Sequence, residues 1–129
     1  MIVADASVVI ESLINSRPKG RAIHRRLASE ELRCPHLMDI EVAAALRLLV
    51  ARGRLNPEQA HLAIVELSQM RVDRRSHTDY LERVWELRDS VSAYDAVYVA
   101  IAEHGATSLL TLDRRLASAH GPRCAIEVL

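Results

Sequence analysis

Five short strand-like segments alternate with segments of helical length, and this alternation constrains the fold more than any other feature of the chain. The segments are Ile2–Ala4, Leu32–Cys34, Arg71–Asp73, Ser108–Leu112 and Ala125–Leu129. Strands joined by helices run parallel, because a parallel pair needs a long crossover and a tight hairpin cannot supply one. The expected architecture is therefore an α/β sandwich with a central, mainly parallel sheet covered by helices on both faces. In such sheets ligands bind beyond the carboxyl ends of the strands.

The helical segments carry their own punctuation. Ala6 to Leu13 continues from the first strand, and Asn15 to Gly20, with Pro18 and Gly20, reads as a loop. A helix is expected over Arg21 to Glu31. Pro35 is expected to start a long helix that Gly53 stops near Arg52. Asn56-Pro57-Glu58 is a strong restart signal, with a capping Asn and Pro in the first turn, for a helix to about Met70. Ser76 or Thr78 opens the next, to about Asp89. Ser92 to His104 closes at Gly105, and Arg114 to Ala119 ends before Gly121-Pro122.

The chain has 129 residues, the length of one domain (1–129). Half of them are hydrophobic but none is Phe, so the core has to be built from Ala, Val, Leu and Ile. Basic and acidic residues balance at 17 each, which argues against a generally basic coat for nucleic acid and leaves room for a local patch. Cys34 and Cys124 lie far apart and outside any zinc-ligand spacing, so a reduced, cytoplasmic protein is expected, with a single disulfide as the alternative. No secretory leader pattern and no apolar run near the roughly 20 residues of a membrane span are present.

Four acids stand against apolar segments. Asp5 closes Met-Ile-Val-Ala, Glu41 interrupts the stretch Leu37 to Val50, Asp95 opens Ala-Val-Tyr-Val-Ala-Ile-Ala, and Asp113 ends Ser-Leu-Leu-Thr-Leu. Each alone has a structural explanation. Asp5 and Asp113 are placed to cap helices, Asp95 completes Ser-x-x-Asp after Ser92, and Asp39 and Glu41 are near a helix start. Glu41 resists this best, because it lies beyond the first turn among Leu37, Met38, Ala44 and Ala45. Gathered together, four carboxylates repel one another unless they share a cation, and an all-oxygen set favours Mg²⁺ or Mn²⁺. Asp39 is a second-tier candidate. None of the six histidines pairs with another at ligand spacing, and all read as surface, cap or loop residues.

Four pieces in series carry a family resemblance: Ile2-Val3-Ala4-Asp5-Ala6-Ser7, then Pro35 with Glu41 and Ala43-Ala44-Ala45-Leu46, then Tyr94-Asp95-Ala96-Val97-Tyr98-Val99-Ala100, then Thr111-Leu112-Asp113-Arg114-Arg115-Leu116. Together they resemble PIN-domain ribonucleases, in particular the VapC toxins of bacterial toxin–antitoxin pairs. The resemblance implies a PIN-like α/β/α sandwich and a Mg²⁺- or Mn²⁺-dependent endoribonuclease. It also implies a cognate antitoxin that blocks the site and a homodimer. By the same resemblance Asp5, Glu41 and Asp95 are the invariant acids and Asp113 the fourth, with Ser7 and Thr111 as supporting hydroxyls. Arg114 and Arg115 are candidates for RNA phosphate. Tyr94 and Tyr98 straddle Asp95, and core packing is expected of both ahead of base stacking. The helices at Arg21 to Glu31 and Asn56 to Met70 carry apolar faces suited to partner contacts.

Other enzyme classes fit less well. A haloacid-dehalogenase-type phosphatase needs Asp-x-Asp where this chain has Asp5-Ala6-Ser7, and a receiver domain needs a late Lys where the only lysine is Lys19. The non-enzymatic alternative is a PIN-like partner subunit of a transcription-regulating complex.

Overall fold

A computed structural model describes all residues, Met1–Leu129. Its strands are β1 (Ile2–Ala4), β2 (Leu32–Pro35), β3 (Val72–Arg75), β4 (Leu109–Thr111) and β5 (Ile126–Val128). Its helices are α1 (Ala6–Ile14), α2 (Pro18–Ser29), α3 (Leu37–Ala51), α4 (Pro57–Gln69), α5 (Leu81–Glu86), α6 (Ala93–His104) and α7 (Arg114–Ala117). The five strands form one sheet in the order β3-β2-β1-β4-β5, and every pairing is parallel. The expected α/β sandwich is therefore present, with a sheet that is wholly parallel.

This order has a functional consequence. The chain grows outward from β1 through β2 to β3, then crosses back to place β4 on the other side of β1. The direction of winding reverses between β1 and β4, which is where open parallel sheets leave a crevice at their carboxyl ends. Residues 5 and 111, far apart in sequence, are thereby brought side by side: Ala4 is in register with Leu110, and the Asp5 N–H donates to the Leu110 carbonyl at 3.0 Å.

The core is aliphatic, as the missing Phe requires. Val3, Val8, Val9, Val42, Val99, Ile101, Leu109 and Leu110 are fully buried, and small residues such as Ala4 and Ala96 let helices approach the sheet closely. α1 packs with α2, α3 and α4, while α6 packs with α5 and lies across β1, β2 and β4.

Several boundaries depart from the sequence expectation. The segment read as a loop at Asn15 to Gly20 is only half loop, because α2 already starts at Pro18, a residue suited to a first helical turn. Gly20 lies inside that helix for a steric reason: a Cβ there would stand 2.0 Å from the Asn15 carbonyl oxygen. Pro35 ends β2 instead of opening α3, and the adjacent His36 N–H donates to Arg75 across the sheet. The helix expected over residues 76–89 breaks into a 3₁₀ turn at Thr78–Tyr80 and the short α5. The restart at Asn56 is as expected, with Asn56 accepting from Glu58 N–H and Gln59 reaching back to the Asn56 N–H. Cys34 is buried and Cys124 half-buried, and both are free thiols. No helix is long and apolar enough to cross a membrane.

Candidate active site

The carboxyl end of β1 supplies the centre of the site. Asp5 is buried, and its carboxylate caps α1 by accepting from the Val8 N–H at 3.2 Å. Capping is only part of its role. Ser7 Oγ donates to Oδ1 and Thr111 Oγ1 donates to Oδ2, each at 2.5 Å. The same hydroxyls accept from the loop after β4: Leu112 N–H donates to Ser7 Oγ at 3.1 Å, and Asp113 N–H to Thr111 Oγ1 at 2.9 Å. Two side chains thus fasten the β1–α1 turn to the β4–α7 turn and hold the Asp5 carboxylate in one orientation. Ser7 and Thr111, expected as supporting residues, both touch Asp5.

Glu41 reaches the site from the second turn of α3. Tyr98, one turn after Asp95 on α6, donates its hydroxyl to Glu41 Oε2 at 3.2 Å. Oε1 is sealed from solvent and has no hydrogen-bond partner. An unpartnered buried acceptor costs about 1–3 kcal/mol, more when charged. Burial pushes the Glu41 carboxyl up to about 7; the Tyr98 hydrogen bond opposes this, and the charges of Asp95 and Asp5 add to it. Tyr98 itself is almost fully buried and its hydroxyl is pushed well above the usual range, first by burial and then by Glu41, so it acts as a donor. The sequence reading of Tyr98 as a core residue missed this second role. The signal was present: Tyr98 stands three residues after Asp95 and shares its helical face.

Asp95 is held in the first turn of α6, where Ser92 caps the helix by accepting the Asp95 N–H at 3.2 Å. Burial raises its pKa above the usual carboxylate range. Ser92 opposes that shift, Asp5 and Asp113 reinforce it, and the Arg115 cation opposes it again. Asp113 differs from the others. It is the N-cap of α7, it accepts from the Arg115 N–H at 2.8 Å, and that bond holds its carboxyl below the usual range. Arg114 and Arg115 are both exposed, and only Arg115 approaches an acid of the cluster, Nε to Asp113 Oδ1 at 3.5 Å.

The structure brings Asp5, Glu41, Asp95 and Asp113 close enough to perturb one another, in the order Glu41, Asp5 with Asp95, then Asp113. They are neighbours and not a closed cage: no three of the chain's His, Cys, Asp or Glu side chains converge on one point at ligand distance. In chemistry the set fits a hard divalent cation, being all oxygen, with raised proton affinities at Glu41 and Asp95 and an unsatisfied acceptor at Glu41 Oε1. Asp39 lies outside. It forms a two-point pair with Arg74 at 2.7 and 3.0 Å, and Arg74 also donates to the Leu67 carbonyl, tying α3 to β3 and α4. All six histidines are exposed. A cleft of about 680 Å³ between Leu27, Leu32, Met70 and Val72 opens at the amino ends of β2 and β3, away from the acids.

With the acids at the crevice of a parallel sheet, comparison with known proteins becomes decisive. The PIN-domain family model matches residues 2–121. The chain belongs to the PIN-domain family. This PIN domain is 40% identical over 129 residues to Ribonuclease VapC9 of Mycobacterium tuberculosis, an alignment that spans 100% of this chain and 98% of the relative. Among solved structures it resembles PAE2754 from Pyrobaculum aerophilum, with a TM-score of 0.73, 26% identity, and coverage of 98% of this chain and 83% of the other. It also shares the fold of M. tuberculosis VapC20, described as a toxin that cleaves the sarcin–ricin loop, with a TM-score of 0.67, 17% identity, and coverage of 92% and 94%.

Proposed function

We propose that the chain is a divalent-metal-dependent endoribonuclease that acts as the toxin of a toxin–antitoxin pair. The observation that carries this reading is Glu41 Oε1, a buried acceptor with no partner, beside the mutually repelling Asp5 and Asp95. An arrangement this costly makes sense where it is relieved by a ligand. The 40% identity to a protein named a ribonuclease over its full length supports the RNA substrate.

Asp5, Glu41, Asp95 and Asp113 would hold Mg²⁺ or Mn²⁺. Such an ion, when bound, makes water a stronger nucleophile at neutral pH and polarises a phosphoryl oxygen. The protein's contribution is positioning. Ser7 and Thr111 fix both oxygens of Asp5, so that it meets its ligand in one orientation. Tyr98 fixes Glu41 through Oε2 and leaves Oε1 as the unpaired acceptor of the site. The 2′-hydroxyl of the RNA is not required as nucleophile in this arrangement. A cognate antitoxin that covers the acids, a homodimer and a cytoplasmic setting complete the proposal.

The test is cleavage of single-stranded RNA with Mg²⁺ or Mn²⁺, with EDTA, and by the Asp95→Asn protein. Loss of cleavage in the last two is expected, and cleavage that survives EDTA refutes the proposal. Growth arrest on expression, lost in Asp5→Asn, separates a toxin from a passive partner subunit.

A further inference from the structure

Two large side chains at the rim of the acid cluster are left unexplained by the fold. Tyr94 precedes Asp95 and is 63% exposed, in a chain with only three tyrosines and one tryptophan. It lies four residues before Tyr98, hence on the same face of α6 and one turn nearer the helix start. Tyr98 contacts Glu41, so the α6 face that carries Tyr94 is the one turned toward Glu41, and Tyr94 is also the residue next to Asp95. Next to Asp113, the Arg115 side chain is 94% exposed. Its only approach to an acid is the 3.5 Å contact of Nε, which leaves the terminal guanidinium nitrogens open. An exposed aromatic ring next to Asp95 and an exposed planar cation next to Asp113 therefore adjoin the carboxylates.

We infer that Tyr94 and Arg115 form a nucleotide subsite, in which Tyr94 stacks on one unpaired base of a single-stranded RNA and Arg115 binds a backbone phosphate across the acid cluster. This rests on the RNA-cleaving reading above and names the residues that seat the strand. The ring offers a sequence-tolerant platform, since every base has a π-face. The guanidinium offers paired donors to phosphate oxygens and offsets repulsion between the acids and the RNA backbone. Exposure of both side chains means that neither is needed to hold the fold.

The experiment measures binding and cleavage separately, with a short fluorescein-labelled single-stranded RNA and the same strand carrying one abasic nucleotide at successive positions. Tyr94→Ala is expected to weaken binding and raise KM about tenfold, in line with the loss of one base–aromatic stack. Tyr94→Phe and Tyr94→Trp retain both, because the ring and not the hydroxyl makes the contact. At one abasic position Tyr94→Ala causes no further loss. Arg115→Ala weakens all strands alike and reduces the salt dependence of binding. Wild-type-like binding by Tyr94→Ala, an equal loss in Tyr94→Phe, or no binding of single-stranded RNA by the wild type overturns the subsite. Tyr94-dependent binding without cleavage overturns the enzymatic reading and leaves the subsite standing. Cleavage with a KM indifferent to Tyr94 does the reverse.

Discussion

Tyr98 donates its hydroxyl to Glu41 at the carboxyl end of the sheet, at 3.2 Å, and satisfies one of the two oxygens of that half-buried carboxyl. The other is left without a partner. This pairing joins α3 to α6, and it concentrates the strain of the site on one residue.

Glu41 should therefore make the metal-free protein less stable as pH rises. Its folded-state pKa, about 7, lies above the reference value of 4.5. Between these values the folded state holds a proton that the unfolded chain has released, so stability falls as pH climbs from about 4.5 through 7. The group is only half buried, and with solvent screening the loss is of the order of 1 kcal/mol. Urea unfolding in EDTA at pH 5 and pH 8 measures it. Glu41→Gln should flatten the profile, and an unchanged slope would remove Glu41 as its source.

Thr111→Val and Ser7→Ala should each lower activity without unfolding the protein. Each removes one donor to Asp5 and one tether between the turns after β1 and β4. Loss of partners that orient a metal-binding carboxylate costs about 10–100-fold in affinity or activity. The effect should appear as a higher metal concentration for half-maximal cleavage. Combined, the two changes should cost less than the product of the single effects, because both act through Asp5.

The chemistry of these residues was legible in the sequence, and their arrangement was only partly so. Asp5 and Asp113 could be placed at strand ends because β1 and β4 are short apolar runs. That those strands are neighbours depends on the sheet order, which is set by long-range packing and leaves no local mark. The same holds for Tyr98, whose buried position was readable from its apolar surroundings while its partner on α3 was not. Helix boundaries failed where tertiary contacts overrode local signals, as at Pro35, drawn into β2 by pairing with β3.

Gly20→Ala should be strongly destabilising, against the usual preference of helices for Ala. A Cβ at this position would stand 2.0 Å from the Asn15 carbonyl oxygen and 2.6 Å from the Asn15 Cβ, so the start of α2 must move off the end of α1. Overpacking of this kind costs about 1–3 kcal/mol. A thermal melt checks it. A variant as stable as the wild type would mean that the turn between α1 and α2 yields without cost.

Asp39 provides the control that separates acids of the site from acids of the fold. It is two residues from Glu41 on the same helix, yet its carboxylate is spent on Arg74, which also holds the Leu67 carbonyl at the end of α4. Both partners are partly exposed, so Asp39→Ala should cost about 1 kcal/mol of stability and leave RNA cleavage at the wild-type level. Arg74→Ala should cost somewhat more, because it also frees the Leu67 carbonyl. The double variant should be less destabilised than the sum of the two, since the same pair is lost only once. Melting curves give the stabilities, and the RNA assay gives the activities. Cleavage that falls in Asp39→Ala as it does in Asp95→Asn would move Asp39 into the site and enlarge the acid cluster to five.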